Sequence, residues 1–161
     1  MVAGFTSERG PASGWNARPD YVGIRMLVAD TAVHDRGVYC GEVIKIFQAA
    51  DGTMGGLCGC LGDLAAMRDF IAAGGMNEPP EFKDEESEGI LIRPWGKVEW
   101  VGANRKRIEL TGEFFAIGSG FKLAVGAMHA GADAIKAIEI AAHLDNCTRP
   151  PLTVLRAKAR S

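Results

Sequence analysis

Apolar residues first run together over 24–32, where Met26, Leu27, Val28 and Ala29 follow one another without a polar break. A run of that kind reads as a strand buried on both faces, closed here by the polar pair Asp30 and Thr31. After a turn at Asp35, Arg36 and Gly37, a second strand is expected over 43–49. Asp51 and Gly52 make a hairpin signal, and a glycine-rich third strand follows over 53–60. Strands joined by such short turns pair antiparallel.

The period then changes. Asp63 offers a helix cap, Leu64, Met67 and Ile71 recur at helical spacing, and Gly74 with Gly75 supplies a stop, so a helix is predicted over 62–73. Residues 76–89 contain Pro79, Pro80 and six acidic residues against one lysine, the composition of a solvated loop. Strands are expected over 90–93 and 97–101, and the cluster Asn104, Arg105, Lys106 and Arg107 reads as an exposed turn. A short apolar strand over 114–117 ends at Gly118, Ser119 and Gly120. Two helices in series are predicted next, the first from Phe121 to Ala130 and the second capped by Asp133 with Ile135, Ile138, Ala141 and Ala142 on one face. Pro150 and Pro151 stop the helical region, and 152–155 reads as a last strand. Strands segregated from helices in this way imply α+β layering, two sheets covered by helices.

Residues 1–22 carry Gly, Pro, Ser and Arg without periodicity and read as an irregular arm or pro-segment, ahead of a single domain over 23–161. At 161 residues one hydrophobic core suffices, and a composition 47% hydrophobic and 24% charged is that of a globular protein. A formal net charge of −2 gives no electrostatic reason to expect a nucleic-acid or anionic-membrane partner. No apolar run is long enough for a membrane span, and the start lacks the basic-then-apolar order of a secretory signal, so a cytoplasmic location is expected. The four cysteines, Cys40, Cys58, Cys60 and Cys147, then read as reduced thiols. Cys58 and Cys60 would share a strand face, and with His34 and Cys147 a zinc site can be drawn. Neither a CxxC nor an HxxxH spacing supports it, and no cofactor is expected.

The glycine motifs of nucleotide binding fail. Gly118-x-Gly120 is followed by Leu123 where a dinucleotide fingerprint needs its third glycine, and the glycines of 55–62 lack the Gly-Lys-Ser/Thr of a triphosphate loop. A Gly-x-Ser-x-Gly elbow is also missing.

Four other segments carry a resemblance: VADTAV (28–33), the lysine of GEVIKIF (41–47), GGLCGCLGD (55–63), and AIGSG (116–120) followed by a helix ending in LDNCT (144–148). In this order and spacing they resemble the proteasome β-subunits, the bacterial ring protease related to them and short phage-encoded relatives, over about 26–154. That resemblance implies an N-terminal-nucleophile (Ntn) hydrolase fold, a four-layer αββα sandwich of two mainly antiparallel sheets. It also implies a threonine or serine peptidase, a homo-oligomer built as a ring or stacked rings, a peptide or unfolded-protein substrate, and an ATP-dependent unfoldase as partner.

In the family the N-terminal residue supplies both hydroxyl nucleophile and, through its α-amine, the base. By resemblance Asp30 would hold Lys45, whose charge lowers the amine pKa and stabilises developing negative charge. Gly59 would offer its backbone N–H as an oxyanion hole, where a side chain would block the approaching carbonyl, and Ser119, Asp145 and Thr148 would form the hydrogen-bond set around the amine. Each has a plain structural role open to it as well: a turn carboxylate for Asp30, an exposed strand lysine for Lys45, a helix cap for Ser119, a helix C-terminal cluster for Asp145 and Thr148.

The nucleophile is unknown. Counting back from Asp30 to where the family nucleophile opens the mature chain gives Gly14, Trp15, Asn16, Ala17 and Arg18, without a hydroxyl. Ser13 is the candidate, 17 residues before Asp30, with Thr6 and Ser7 farther off. Three readings stay open: cleavage before Ser13, a non-catalytic ring-forming or interaction subunit, or a natural start other than residues 1–22.

Overall fold

The computed structural model describes residues 26–94 and 96–157. The expected arm at 1–22 and the candidate nucleophiles Thr6, Ser7 and Ser13 lie outside them. The chain order is β1 (Met26–Asp30), β2 (Ala32–Asp35), β3 (Val38–Glu42), β4 (Ile46–Gln48), β5 (Met54–Cys58), α1 (Leu61–Ala72), β6 (Glu88–Ile92), β7 (Val98–Gly102), β8 (Lys106–Leu110), α2 (Phe121–His129), α3 (Ala134–Leu144) and β9 (Leu152–Arg156). Strands β4 to β8 form one antiparallel sheet in sequence order, β1 pairs antiparallel with β9, and β2 with β3 makes a hairpin.

Three apolar clusters define the layers. Met26 and Val28 of β1 face Ala124, Met128, Ala137, Ile138 and Ala141 of α2 and α3. The alternate residues Leu27 and Ala29 face Ile46, Met54, Ile90, Ile92 and Val98 of the larger sheet. The opposite side of that sheet presents Leu57, Leu91 and Val101 to Leu64, Met67, Phe70 and Ile71 of α1. Helix, sheet, sheet and helix therefore stack in that order, the αββα layering that the resemblance implies. A strand with apolar residues on both faces is what a middle layer requires, and all five residues of β1 are buried.

Two glycine-rich segments follow from close approach and from helix termination. A Cβ on Gly55 would stand 2.6 Å from the Ile90 carbonyl oxygen, so β5 meets β6 with no room for a side chain there. At the end of α1, Gly74 (φ +77°) donates to Ile71 O at 2.8 Å and Gly75 (φ +61°) donates to Phe70 O at 2.8 Å. These are the paired bonds of a Schellman stop. The next carbonyls are held by Arg93, which donates to Gly75 O at 2.7 Å, to Gly74 O, and to Glu99 Oε2 at 2.7 Å.

Several sequence expectations are corrected. The predicted strand 43–49 is shorter, β4 beginning at Ile46, and β3 occupies Val38–Glu42 where none was predicted. Strand β8 likewise replaces the end of the basic turn. Arg107 there donates to Gly75 O at 2.7 Å and Asn77 O at 3.1 Å, and Arg105 to Glu78 and Glu81, so these guanidiniums tie down the 76–81 segment. Residues 114–116 are irregular and not a strand. Cys58 ends β5 half-buried while Cys60, beyond Gly59, is exposed at the start of α1, so the two do not share a strand face. Among the described residues no group of three His, Cys, Asp or Glu side chains could hold a metal ion. No helix among them is long and apolar enough to cross a membrane.

Asp63 is not the cap of α1. Its side chain accepts from Lys83 N at 2.8 Å, Asp84 N at 3.1 Å and Ser87 Oγ at 2.8 Å, which pins the acidic loop, with buried Phe82 and Ser87, against the helix. Burial alone would raise the Asp63 pKa, but these hydrogen bonds together outweigh it and hold the carboxyl below its ordinary value. A depressed folded-state pKa gives stability that is present above the unfolded pKa of about 3.9 and lost as pH falls through the folded value. Asp63→Asn should cost about 1–3 kcal/mol at pH 7 and flatten the acid limb of stability, as read from urea unfolding between pH 7 and pH 3.

Candidate active site

The end of β1 is where chemistry-bearing residues converge. Asp30 is 0% exposed and Lys45 9%. The Lys45 ammonium donates to Asp30 Oδ1 at 3.0 Å and to Ala32 O at 2.6 Å. Asp30 Oδ2 accepts from Ala32 N at 3.1 Å and from Arg149 N at 3.4 Å. Lys45 is thus no exposed strand lysine, since it lies just before β4 and reaches inward. The backbone around Thr31 explains why. Thr31 N and Oγ1 both donate to Pro151 O at 3.1 Å and Thr31 O accepts from Val43 N at 2.8 Å, so the bend between β1 and β2 is fixed on both sides.

A second polar group stands where α2 begins and α3 ends. Ser119 Oγ donates to Asp145 Oδ2 at 2.6 Å, and the Thr148 hydroxyl donates to the same oxygen. Ser119 is not a helix cap: Gly120 holds the N-cap of α2, without a side-chain bond. Burial would raise the Asp145 pKa. The bonds from Ser119, Thr148 and the Cys147 backbone win, and the carboxyl stays charged below its usual range. Thr148 itself is fully buried and adjoins Arg149, whose N–H reaches Asp30. The two polar groups are therefore one connected set.

Gly59 sits beyond β5 at φ +115°, a conformation that side chains disfavour. A Cβ there would lie 2.6 Å from Ser87 Cα and 2.7 Å from Ser87 Oγ. The need for glycine thus has a structural cause besides the expected one: Ser87 fills the space a side chain would take. Ser87 Oγ in turn accepts from Cys60 N at 3.0 Å and donates to Asp63, which anchors the turn that carries Gly59. The link to Lys45 runs through the backbone, Leu57 N donating to Lys45 O at 3.1 Å.

One residue of this region escaped the sequence reading. Glu88, first in β6, accepts from Gly118 N at 3.0 Å and from the Cys58 thiol at 3.4 Å on Oε1, and from Trp100 Nε1 at 3.0 Å on Oε2. Burial and then the Glu88 charge push the Cys58 thiol pKa far up, so it is a neutral donor and not a thiolate nucleophile. Nothing in the acidic run over 84–88 distinguishes Glu88 from its neighbours. Glu88 also stands at an apolar cleft of ≈ 310 Å³ whose walls include Ile90, Trp100, Phe115 and Phe121, and which Asp30 and Lys45 do not line.

Breaking a buried ion pair leaves an uncompensated charge and costs about 3–5 kcal/mol, an amount the N–H donors of Ala32 and Arg149 reduce without cancelling. Lys45→Ala should therefore lower stability measurably in denaturant titration. A change below ~0.5 kcal/mol would mean that the pair is not sealed from water.

No protein-family profile matches this chain, and no curated protein matches it. Solved structures do. BPH from Thiobacillus denitrificans, determined alone and in complex with epoxomicin, matches in both cases with a TM-score of 0.66 and 18% identity over 99% of this chain and 100% of that one. Eukaryotic HslV from Trypanosoma brucei matches with a TM-score of 0.68 and 17% identity over 97% of this chain and 98% of that one. With near-full coverage in both directions, the chain has the proteasome β-subunit-like fold of the Ntn hydrolases.

Proposed function

We propose that this protein is a proteasome-like threonine/serine-type peptidase, and the observation that carries the reading is the buried Asp30–Lys45 pair at the end of β1. A lysine held charged by a carboxylate in a site of low dielectric depresses the pKa of an adjacent amine and attracts developing negative charge. In the proposed reaction an N-terminal hydroxyl attacks the substrate carbonyl carbon while the free α-amine takes its proton. The tetrahedral oxyanion is met by the Gly59 N–H, the amine returns the proton to the departing nitrogen, and water then hydrolyses the acyl-enzyme. Ser119, Asp145 and Thr148 orient the amine. Ser13 is the candidate nucleophile, exposed by cleavage before it, and the site is cytoplasmic.

By the same reading the subunits assemble as a homo-oligomeric ring or stacked rings, fed with peptide or unfolded protein by an ATP-dependent unfoldase. Exposed Phe121 and Leu144, on the two helices that cover β1, are apolar surface available to such contacts. A second reading, a non-catalytic ring-forming subunit, is favoured by one observation: residues 14–18 contain no hydroxyl nucleophile.

The mass of the purified protein, measured with hydrolysis of fluorogenic peptides, separates the two. A mature N-terminus at Ser13, saturable binding of epoxomicin, and loss of cleavage by roughly 10⁴- to 10⁶-fold in Ser13→Ala are the expected results. An assembled particle that retains Met1 and cleaves nothing would leave the scaffold reading standing. Sedimentation should give an oligomer in either case, and a stable monomer at micromolar concentration would contradict both.

A further inference from the structure

The contacts of the candidate site close into a ring. Lys45 binds Asp30, Asp30 receives the Arg149 N–H beside Thr148, and Thr148 and Ser119 share Asp145. Ser119 adjoins Gly118, Gly118 N donates to Glu88, and Glu88 receives the Cys58 thiol. Leu57, next to Cys58, returns to Lys45 through its N–H. Within this ring Glu88 is the direct bridge between the segment that carries Ser119 and the segment that carries Gly59.

We infer that Glu88 is a positioning residue of this site, a carboxylate that holds the Gly118–Ser119 segment and the Cys58–Gly59 turn in register through one shared oxygen. The inference rests on the peptidase reading for its catalytic consequence but not for its geometry. The chemistry of the side chain suits the task. An ionised carboxylate accepts several hydrogen bonds and donates none, and Glu88 meets three donors from three parts of the chain: a backbone N–H, a thiol and an indole N–H. Charge-assisted bonds of this kind are stronger than neutral ones. The Trp100 bond fixes Oε2 and so turns Oε1 toward Gly118 and Cys58. A neutral thiol at Cys58 completes the set, because a thiolate there would be repelled.

The geometry predicts how a neutral isostere fails and how it recovers. In Glu88→Gln one oxygen becomes an amide NH₂, which must face either the Trp100 indole N–H or the Gly118 N–H, donor against donor. Trp100→Phe removes the indole N–H, and the amide can then turn its nitrogen toward the ring and offer its oxygen to Gly118 and Cys58. Peptide cleavage should fall roughly 10- to 100-fold in kcat for Glu88→Gln with the fold retained, as expected for a misplacement of about 1 Å. The double variant with Trp100→Phe should recover to about the level of Trp100→Phe alone.

Hydrogen–deuterium exchange read by mass spectrometry gives the second measurement, independent of activity. Peptides covering 116–120 and 57–60 should exchange faster in Glu88→Gln and return toward wild type in the double variant. Unchanged exchange in both segments, or a double variant no better than Glu88→Gln, overturns the inference. A wild-type protein that cleaves no peptide, yet shows the paired exchange changes, sustains the positioning role of Glu88 and sinks the peptidase reading instead.

Discussion

A carboxylate with no exposed surface must be satisfied from within the protein, and the folding of the region around Asp30 follows from that requirement. Transfer of an unpaired charge into the interior costs far more than a domain's margin of stability. Asp30 receives an ammonium from the segment before β4, an N–H from its own bend and another from the stretch before β9. Three distant parts of the sequence are thereby brought to one point. The Thr31 bonds to Pro151 and Val43 hold the same three parts together through the backbone. Packing of β1 between two apolar layers makes the end of that strand a dry place, and the dryness is what gives the Lys45 charge its reach.

The legible parts of the fold were those whose apolar pattern is strong. The continuous run of β1, the helical spacing of Leu64, Met67 and Ile71, and the Asp133 cap, whose Oδ1 accepts from Lys136 N at 2.7 Å, all read directly from the sequence. Strands β3 and β8 did not. Their residues are mostly exposed, with no buried position in either, so no alternation marks them, and pairing with a neighbour alone decides their conformation. Asp63 has the position of a first-turn acid, but it is recruited by three donors from a loop twenty residues onward, a long-range contact to which local propensity is blind.

The candidate site divides in the same way. Asp30, Lys45, Gly59, Ser119, Asp145 and Thr148 were accessible because segments of recognisable order carry them, and the contacts among Asp30 and Lys45, and among Ser119, Asp145 and Thr148, are direct. Glu88 was hidden by composition. It is one of four acids within five residues, and what singles it out is the start of β6, where pairing of Cys58 with Glu88 places the carboxylate across from the thiol. The reason for glycine at 59 was equally hidden, because the atoms it makes room for belong to Ser87.

Buried ion pairs are poor devices for stability, since well-packed apolar residues of similar volume often do as well or better. The site nevertheless gathers Asp30 with Lys45 and a second carboxylate, Asp145, which is kept ionised by two hydroxyls. Asp145 is only partly buried and its neighbour Ser119 is exposed, so this half of the set opens toward solvent while the ion pair stays sealed. A charge fixed in a dry layer beside polar groups open to water is an arrangement that packing does not require. It is suited to acting on a group that arrives from outside, because its dipoles and charges are oriented before that group binds and need not reorganise when charge develops on it.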